Sequence, residues 1–269
     1  MTHLDKKNLL LLNLILGFFA WSDISKLQVP EGFEIQEFVT EIDDARQMVE
    51  GNNYIFVGTK SAGNVYAIDK NNSNKVSIIL TELDMPTGVA LKNGDLYIAE
   101  TDTIHVVKNI ESKLVTNEQI TTEIFFSDLP RKTMWNPVKK AWHGWKWIDF
   151  GPDGALYISE GVPCNVCDEN DPRYGTILKL DNNILSIYAD GVRNSVGFDW
   201  HPETKEMYFT DNGRDWMGDD IPPCELNRVV NAGDHFGFPF IHGKNIPDDK
   251  YKAPKDFTFS RPVWEFQAH

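Results

Sequence analysis

Four short runs of β-branched and aromatic residues repeat along the chain, and each ends in small or polar residues. They read YIFVGTK (54–60), LYIAETD (96–102), LYISEGV (156–162) and MYFTDNG (207–213). A companion run precedes the last three across a turn rich in Gly, Pro, Asp or Asn, namely GVALKNGD, WIDFGPDG and GFDWHPETKE. A third run, NVYAIDK or GTILKLD, follows the first and third copies. This pattern predicts small antiparallel sheets.

The repeats begin about 40 to 60 residues apart, which is typical of propeller blades. Helical periodicity is almost absent, which argues against a parallel sheet with crossover helices. The sequence therefore predicts an all-β propeller with about four blades. The longer intervals contain insertions at 128–142 and 160–174, which we expect to form loops on one face of the disc.

The N-terminus has the character of an export signal. Lys6 and Lys7 precede a mostly apolar run from Asn8 to Ala20, which is of signal-peptide length and short for a membrane span. We expect a signal-like segment at 1–25 and the propeller at 26–269, hence a periplasmic or secreted protein with no stable membrane insertion after signal removal. An uncleaved anchor or a buried N-terminal helix is the alternative.

The 269-residue chain has a formal net charge of −14, which argues against nucleic-acid binding because a phosphate backbone would be repelled. It has three cysteines, Cys164, Cys167 and Cys224. A C-x-x-C motif is compatible with a metal site, a redox pair or a local disulfide. Export favours a Cys164–Cys167 disulfide, with Cys224 left over.

Three segments of the sequence contain residues that could act in catalysis, cofactor binding or metal binding. His143 lies among tryptophans before a strand, where a partly desolvated setting can tune a base. Arg193 and Asn194 precede the inner strand of a blade, where a buried Arg needs an anionic partner. The turn DNGRD (211–215) offers backbone carbonyls and carboxylates to Ca²⁺. The plain alternatives are a packed histidine, an Arg–acid pair and an ordinary turn.

The ordered set HGWKWIDFGPDGALYISEG, PCNVC, GVRNSVGFDWHPET, FTDNGRDWMGDD, ELNRV and HFGFPFIHG resembles the L-sorbosone dehydrogenase branch of the soluble quinoprotein sugar dehydrogenases. The resemblance is dense over about 100 residues from His143 to Gly243. It implies a six-bladed propeller that binds pyrroloquinoline quinone (PQQ) and Ca²⁺ and oxidises an aldose or a sugar-derived aldehyde. The partners would be the sugar and an electron acceptor, either a quinone or a small carrier.

The resemblance also implies roles for individual residues. His143 matches the general base that takes the hydroxyl proton while hydride passes to PQQ. Arg193 and Asn194 match the pair that contacts the ring oxygens of PQQ, with Arg193 stabilising negative charge that develops there. Asn212 matches a side-chain amide that touches the cofactor.

Gly213 and Arg214 match the residues whose backbone carbonyls bind Ca²⁺. Two departures from the family pattern stand out. Cys224 occupies the position before ELN where the family has Asp, and the family continues for about two blades beyond His269, where cationic residues grip the carboxylates of PQQ. The sequence ends in EFQAH without a strand to close the ring, so we expect a C-terminally truncated chain.

Two other functions fit the same architecture. A Ca²⁺-dependent lactonase-like hydrolase would use carboxylates at the ends of inner strands, for which Glu100, Glu160 and Asp211 are candidates. A non-catalytic propeller scaffold would need no cofactor and would tolerate loss of His143. The ordered placement of His143, the Arg–Asn pair and the NGR turn favours the dehydrogenase.

Overall fold

The computed structural model describes residues 24–130 and 142–268 and divides the chain into two compact units, Met1–Thr40 and Glu41–His269. In the first unit, the described part begins with a 3-10 turn at Ile24–Lys26 and continues without helix or strand to Thr40. The predicted signal segment lies almost wholly outside the described residues. Within those residues, no helix is long and apolar enough to cross a membrane.

The described part of the second unit contains four mainly antiparallel sheets that follow one another along the chain, together with one small two-stranded sheet. The first contains β1 (Ala45–Glu50), β2 (Tyr54–Thr59), β3 (Val65–Asp69) and β4 (Lys75–Leu80). The second contains β5 (Gly88–Lys92), β6 (Asp95–Ala99), β7 (Ile104–Val107) and, after helix α1 (Ile110–Thr116), β8 (Glu123–Phe126). The third contains β9 (Ile148–Phe150), β10 (Leu156–Glu160), β11 (Thr176–Asp181) and β12 (Ile184–Asp190).

The fourth sheet contains β13 (Gly197–Trp200), β14 (Met207–Asp211), β15 (Cys224–Arg228) and the late strand β19 (Trp264–Phe266). Between β15 and β19 lie β16 (Asp234–His235) and a small hairpin of β17 (Ile241–His242) and β18 (Ile246–Pro247). Strand β16 adds in parallel to the outer edge of β12, so the third sheet gains a strand from the segment between β15 and β19. This pairing ties the third and fourth sheets together.

Buried polar side chains join the first strands of neighbouring sheets. The amide of Gln47 in β1 donates to the carbonyl of Ile148 in β9 at 2.7 Å and accepts from the backbone N–H groups of Ile148 at 3.1 Å and Val89 at 3.2 Å. The hydroxyl of Thr87 donates to the carbonyl of Lys146 at 2.9 Å and accepts from its N–H at 2.8 Å. These bonds satisfy backbone groups that would otherwise be buried and unpaired.

Apolar side chains fill the space between successive sheets. One buried cluster, including Phe56, Leu96 and Ile98, lies between the first and second sheets. A second, including Ile148 and Ile158, lies between the second and third, and a third, including Phe198 and Phe209, lies between the third and fourth. Each inner sheet therefore buries both faces, which explains why its strands read as nearly continuous apolar runs.

The predicted all-β propeller with about four blades is confirmed, and all four core runs form strands β2, β6, β10 and β14. Two elements were not anticipated. Helix α1 has only seven residues, and Asn109 and Asn117 flank it in the left-handed region with φ of 48° and 55°. We expected the final EFQAH to contain no strand that closes the ring, whereas Trp264–Phe266 forms a strand that pairs with β15 at the outer edge of the fourth blade.

Candidate functional site

His143 lies in the loop that leads into β9, at the third blade. Its backbone has a φ of 55°, and its side chain is 5% exposed and packs edge-on against Trp145. Atom Nδ1 lies 2.8 Å from the carbonyl oxygen of Val162. Because a carbonyl only accepts hydrogen bonds, Nδ1 carries the proton of the neutral ring and Nε2 carries the lone pair. The tautomer required of a base at Nε2 is thus fixed by the backbone.

The third and fourth blades bring His143 and the Arg193–Asn194 pair together. The N–H of Val162 donates to the carbonyl of Arg193 at 3.0 Å, so one residue contacts both His143 and Arg193. Gly161 lies between the two candidates: a Cβ there would lie 2.6 Å from the Cβ of His143 and 3.1 Å from Oδ1 of Asn194. Only glycine permits this close approach.

Asp211, at the end of β14, holds the backbone of the Arg193–Asn194 pair. Its two carboxylate oxygens accept the N–H of Arg193 at 2.9 Å and of Asn194 at 2.6 Å. Burial raises the pKa of Asp211 to about 6, although these N–H groups and the charge of Arg193 act in the opposite direction. The sequence named Asp211 only as a possible metal ligand, whereas it acts here as a backbone clamp.

The guanidinium of Arg193 is held almost entirely by neutral oxygens. Nε donates to the carbonyl of Asn165 at 2.8 Å, Nη2 to the Asn165 side-chain Oδ1 at 2.9 Å, and Nη1 to the carbonyl of Asn212 at 3.2 Å. The nearest carboxylate is Asp215, whose Oδ2 lies 3.9 Å from Nη2. Burial lowers the pKa of Arg193, and the carboxylates of Asp211 and Asp215 oppose this.

The turn after β14 carries Gly213 and Arg214. A Cβ on Gly213 would lie 2.9 Å from the carbonyl oxygen of Pro223, so the chain approaches too closely there for any other residue. The guanidinium of Arg214 binds Asp248 at 2.5 Å and Asp249 at 2.9 Å. This side chain therefore anchors the turn, and any role of Arg214 in metal binding falls to its backbone carbonyl.

A carboxyl pair lies beneath the turn. Glu225 in β15 pairs across the sheet with Asp211, and its carboxyl accepts from the N–H of Gly243 at 2.6 Å and from the amide of Asn227 at 2.9 Å. Burial, and then the negative charge of Asp211, raise the pKa of Glu225 to about 8. The two acids help line a cavity of about 10 Å³, which holds about one water and no larger ligand.

The carboxylates considered for a hydrolase are engaged elsewhere. Glu160 forms a fully buried ion pair with Lys146 at 2.9 Å. Burial raises the pKa of Glu160 to about 7 against the opposing charge of Lys146. Glu100 contacts Nε2 of His105 at 2.9 Å. Across the described ranges, no three His, Cys, Asp or Glu side chains are grouped to hold a metal ion, so a carboxylate metal site of the lactonase kind gains no support there.

Cys164 and Cys167 form a disulfide bond within the insertion that follows β10. Cys224 keeps its thiol, at the first position of β15 beside Glu225. The other insertion, 128–142, lies mostly outside the described residues.

The fold is shared with solved structures of sugar dehydrogenases, one of which is described as PQQ-bound. The PQQ-bound aldose sugar dehydrogenase of Streptomyces coelicolor superposes with a TM-score of 0.61 at 16% identity, over 87% of this chain and 71% of that one. The calcium structure of the Trichoderma reesei carbohydrate-active enzyme of family AA12 gives 0.68 at 16% identity, over 89% and 72%. The apo soluble aldose sugar dehydrogenase of Escherichia coli gives 0.57 at 14%, over 84% and 73%.

Comparison of the sequence alone identifies no family. No protein-family model matches the chain. An uncharacterized protein of Borreliella burgdorferi is 33% identical over 260 residues, which is 91% of this chain and 65% of that protein. The chain thus spans just under two thirds of that relative's length.

Sequence reasoning missed two residues of this site, Asn165 and Glu225. The local signal for Asn165 was its place between two cysteines, where a short closed loop fixes the backbone. Glu225 stood in a recognised motif, ELNRV, but its burial beside Asp211 depends on the register of β14 and β15.

Proposed function

We propose that the chain forms the catalytic part of a PQQ- and Ca²⁺-dependent dehydrogenase that oxidises an aldose or a sugar-derived aldehyde. The observation that carries the proposal is that His143 and Asn194 both approach Gly161, while the backbone carbonyl of Arg193 accepts the N–H of the next residue, Val162. Three residues from two blades, singled out by sequence, thus lie along the Gly161–Val162 backbone. A non-catalytic scaffold would not need this set of polar side chains in this order.

The side chains that could donate hydrogen bonds to a ligand here suit the oxygens of a quinone. Asn194 is 3% exposed, and Asp211 holds its backbone N–H. Its side-chain amide would offer a donor and an acceptor to the oxygens of a quinone. Arg193 contributes a guanidinium whose partners are mainly neutral, so its positive charge is available to a carbonyl or carboxylate oxygen. Asn212, one residue before the tight turn, would supply a second amide.

The residues of the chain would divide the work as follows. His143 Nε2 accepts the proton of the substrate hydroxyl, while Val162 holds the opposite nitrogen and keeps the ring in the receptive tautomer. Arg193 stabilises negative charge that develops on an oxygen in front of it. PQQ, when bound, supplies the acceptor for the two electrons and the hydrogen removed from the carbon.

We assign Ca²⁺ to the turn at Gly213 and Arg214, whose backbone carbonyls would be its ligands. The turn is rigidly held, since Gly213 packs on Pro223 and Arg214 is bound by two aspartates. Oxygen ligands on a fixed turn suit Ca²⁺. The thiol of Cys224, at the position where the family has Asp, would contribute no hard oxygen ligand.

We further propose that the protein acts outside the cytoplasm and passes its electrons to a quinone or a small carrier. The support is the N-terminal sequence, together with the disulfide between Cys164 and Cys167, because such bridges persist in oxidising compartments.

The test is turnover after reconstitution. Purified protein is incubated with PQQ and Ca²⁺ and is then given a panel of aldoses and aldehydes with an artificial dye as acceptor. We expect dye reduction that depends on sugar, PQQ and Ca²⁺ together and that is lost in His143→Gln. Sugar-dependent reduction that persists without PQQ, or none with any substrate, would reject the proposal.

A further inference from the structure

The Cys164–Cys167 loop makes contacts well beyond its own length. The backbone carbonyl and the side-chain Oδ1 of Asn165 together accept two parallel N–H groups of Arg193, from Nε at 2.8 Å and Nη2 at 2.9 Å. One residue thus grips one edge of the guanidinium in the two-pronged geometry that normally belongs to a carboxylate. Asn165 is 8% exposed, so these bonds are shielded from water.

The same side chain fixes the turn that follows β14. Oδ1 of Asn165 also accepts the N–H of Asp215 at 2.8 Å, and its Nδ2 donates to the carbonyl of Asp215 at 3.1 Å. Every hydrogen-bonding direction of the amide except one N–H is used by Arg193 or Asp215. Arg193 and the turn that carries Gly213 are therefore held by one asparagine, 28 residues from the first and 50 from the second.

Because Asn165 is uncharged, it affects the charge of Arg193 differently from a carboxylate at the same position. A carboxylate at position 165 would neutralise the guanidinium, whereas the oxygens of Asn165 orient it and leave its charge in place. The disulfide restricts the backbone of a loop of four residues, which lowers the entropy that Asn165 would lose on taking this position.

We propose that Asn165 is a positioning residue for Arg193 and that the Cys164–Cys167 bridge is what keeps it in place. The inference rests on the proposed function only in that the ligand presented to Arg193 is PQQ. Opening of the bridge by a dithiol transfers two electrons and two protons to the sulfurs, giving two thiols and the cyclic disulfide of the dithiol. Asn165 then lies on a loop that the disulfide no longer restrains.

The first test needs no cofactor. In cofactor-free protein, the Nε–H of Arg193 is followed by proton–nitrogen NMR and assigned by its loss in Arg193→Lys. We expect it to be protected from hydrogen exchange in wild type, because it donates to the backbone carbonyl of Asn165. It should exchange about tenfold faster or more in Asn165→Ala, because that variant loses the Oδ1 bond to Nη2 and the two bonds to Asp215 that hold the Asn165 backbone against Arg193. Asn170→Ala, an exposed asparagine of the same insertion, is the matched control and should exchange like wild type.

The second test uses PQQ binding. Asn165→Ala, the double variant Cys164→Ser with Cys167→Ser, and wild type treated with dithiothreitol should each weaken PQQ by about tenfold or more, while Asn170→Ala does not. Wild-type exchange rates in both Asn165→Ala and the double serine variant would overturn the inference. Failure of wild type to bind PQQ, with exchange behaving as expected, would count against the proposed function alone.

Discussion

Gly161 is the point at which the candidate site is most sensitive to a small change. In Gly161→Ala the new methyl would lie 2.6 Å from the Cβ of His143 and 2.7 Å from its carbonyl oxygen. Neither atom is the end of a flexible side chain, so the loop before β9 must move. Overpacking of this kind costs about 1 to 3 kcal/mol, which lowers Tm by roughly 2 to 12 °C in a domain of this size.

We expect Gly161→Ala to reduce turnover by a larger factor than its effect on stability alone would suggest. Displacement of a catalytic group by about 1 Å costs on the order of 100-fold in rate, so we expect turnover of the reconstituted protein to fall by about that factor. Gly197→Ala is the matched control, because its Cβ would meet only the ring of Trp147 at 4.0 Å, and it should be neutral or stabilising. Thermal unfolding and dye-reduction rates of both variants decide the matter. Equal behaviour of the two variants would refute the close packing around Gly161.

Three further predictions follow from the buried polar groups. His143→Gln should lower turnover by about 10² to 10⁴ with the Kd for PQQ within a few fold of wild type, and a normal rate would remove His143 from the reaction. Lys146→Met should cost about 3 to 5 kcal/mol in denaturant unfolding because Glu160 is left buried without its partner, and adding Glu160→Gln should recover part of the loss; no recovery would contradict the pairing. Since the folded-state pKa of Glu225 is raised to about 8, the native state holds its proton more tightly than the unfolded chain, and stability falls as pH rises from about 4.5 through 8. Glu225→Gln should flatten this fall in unfolding measured at pH 5, 7 and 9, whereas parallel curves for the two proteins would exclude a neutral Glu225.

The strands of this protein could be predicted from sequence because each blade repeats one local pattern. An apolar run ends in small or polar residues, and the structure places β2, β6, β10 and β14 on those four runs. Helix α1 escaped prediction because seven residues give no measurable periodicity, and Trp264–Phe266 escaped because three residues carry no strand pattern of their own. Its pairing with β15 is a tertiary contact.

Some residues of the candidate site could likewise be predicted from sequence, and others could not. Residues that bear conspicuous chemistry, such as His143 and Arg193, could be singled out from their neighbours in sequence. The residues that hold them in place could not be singled out. The bond between Asn165 and Arg193 depends on how two blades meet, and the pairing of Asp211 with Glu225 depends on the register of two strands. The surroundings of Arg193 illustrate the limit: the expected acid is present as Asp215 at 3.9 Å, but the hydrogen bonds to the neutral oxygens of Asn165 and Asn212 were not foreseen.

Equilibrium binding of PQQ tests the central claim most directly. The quinone absorbance is titrated with purified protein in the presence of Ca²⁺, in the presence of a chelator, and with Arg193→Ala in place of wild type. The account predicts saturable binding with Ca²⁺, weaker binding with the chelator, and a Kd raised by about tenfold or more in Arg193→Ala. Absence of saturable binding, or equal affinity in all three conditions, would contradict it.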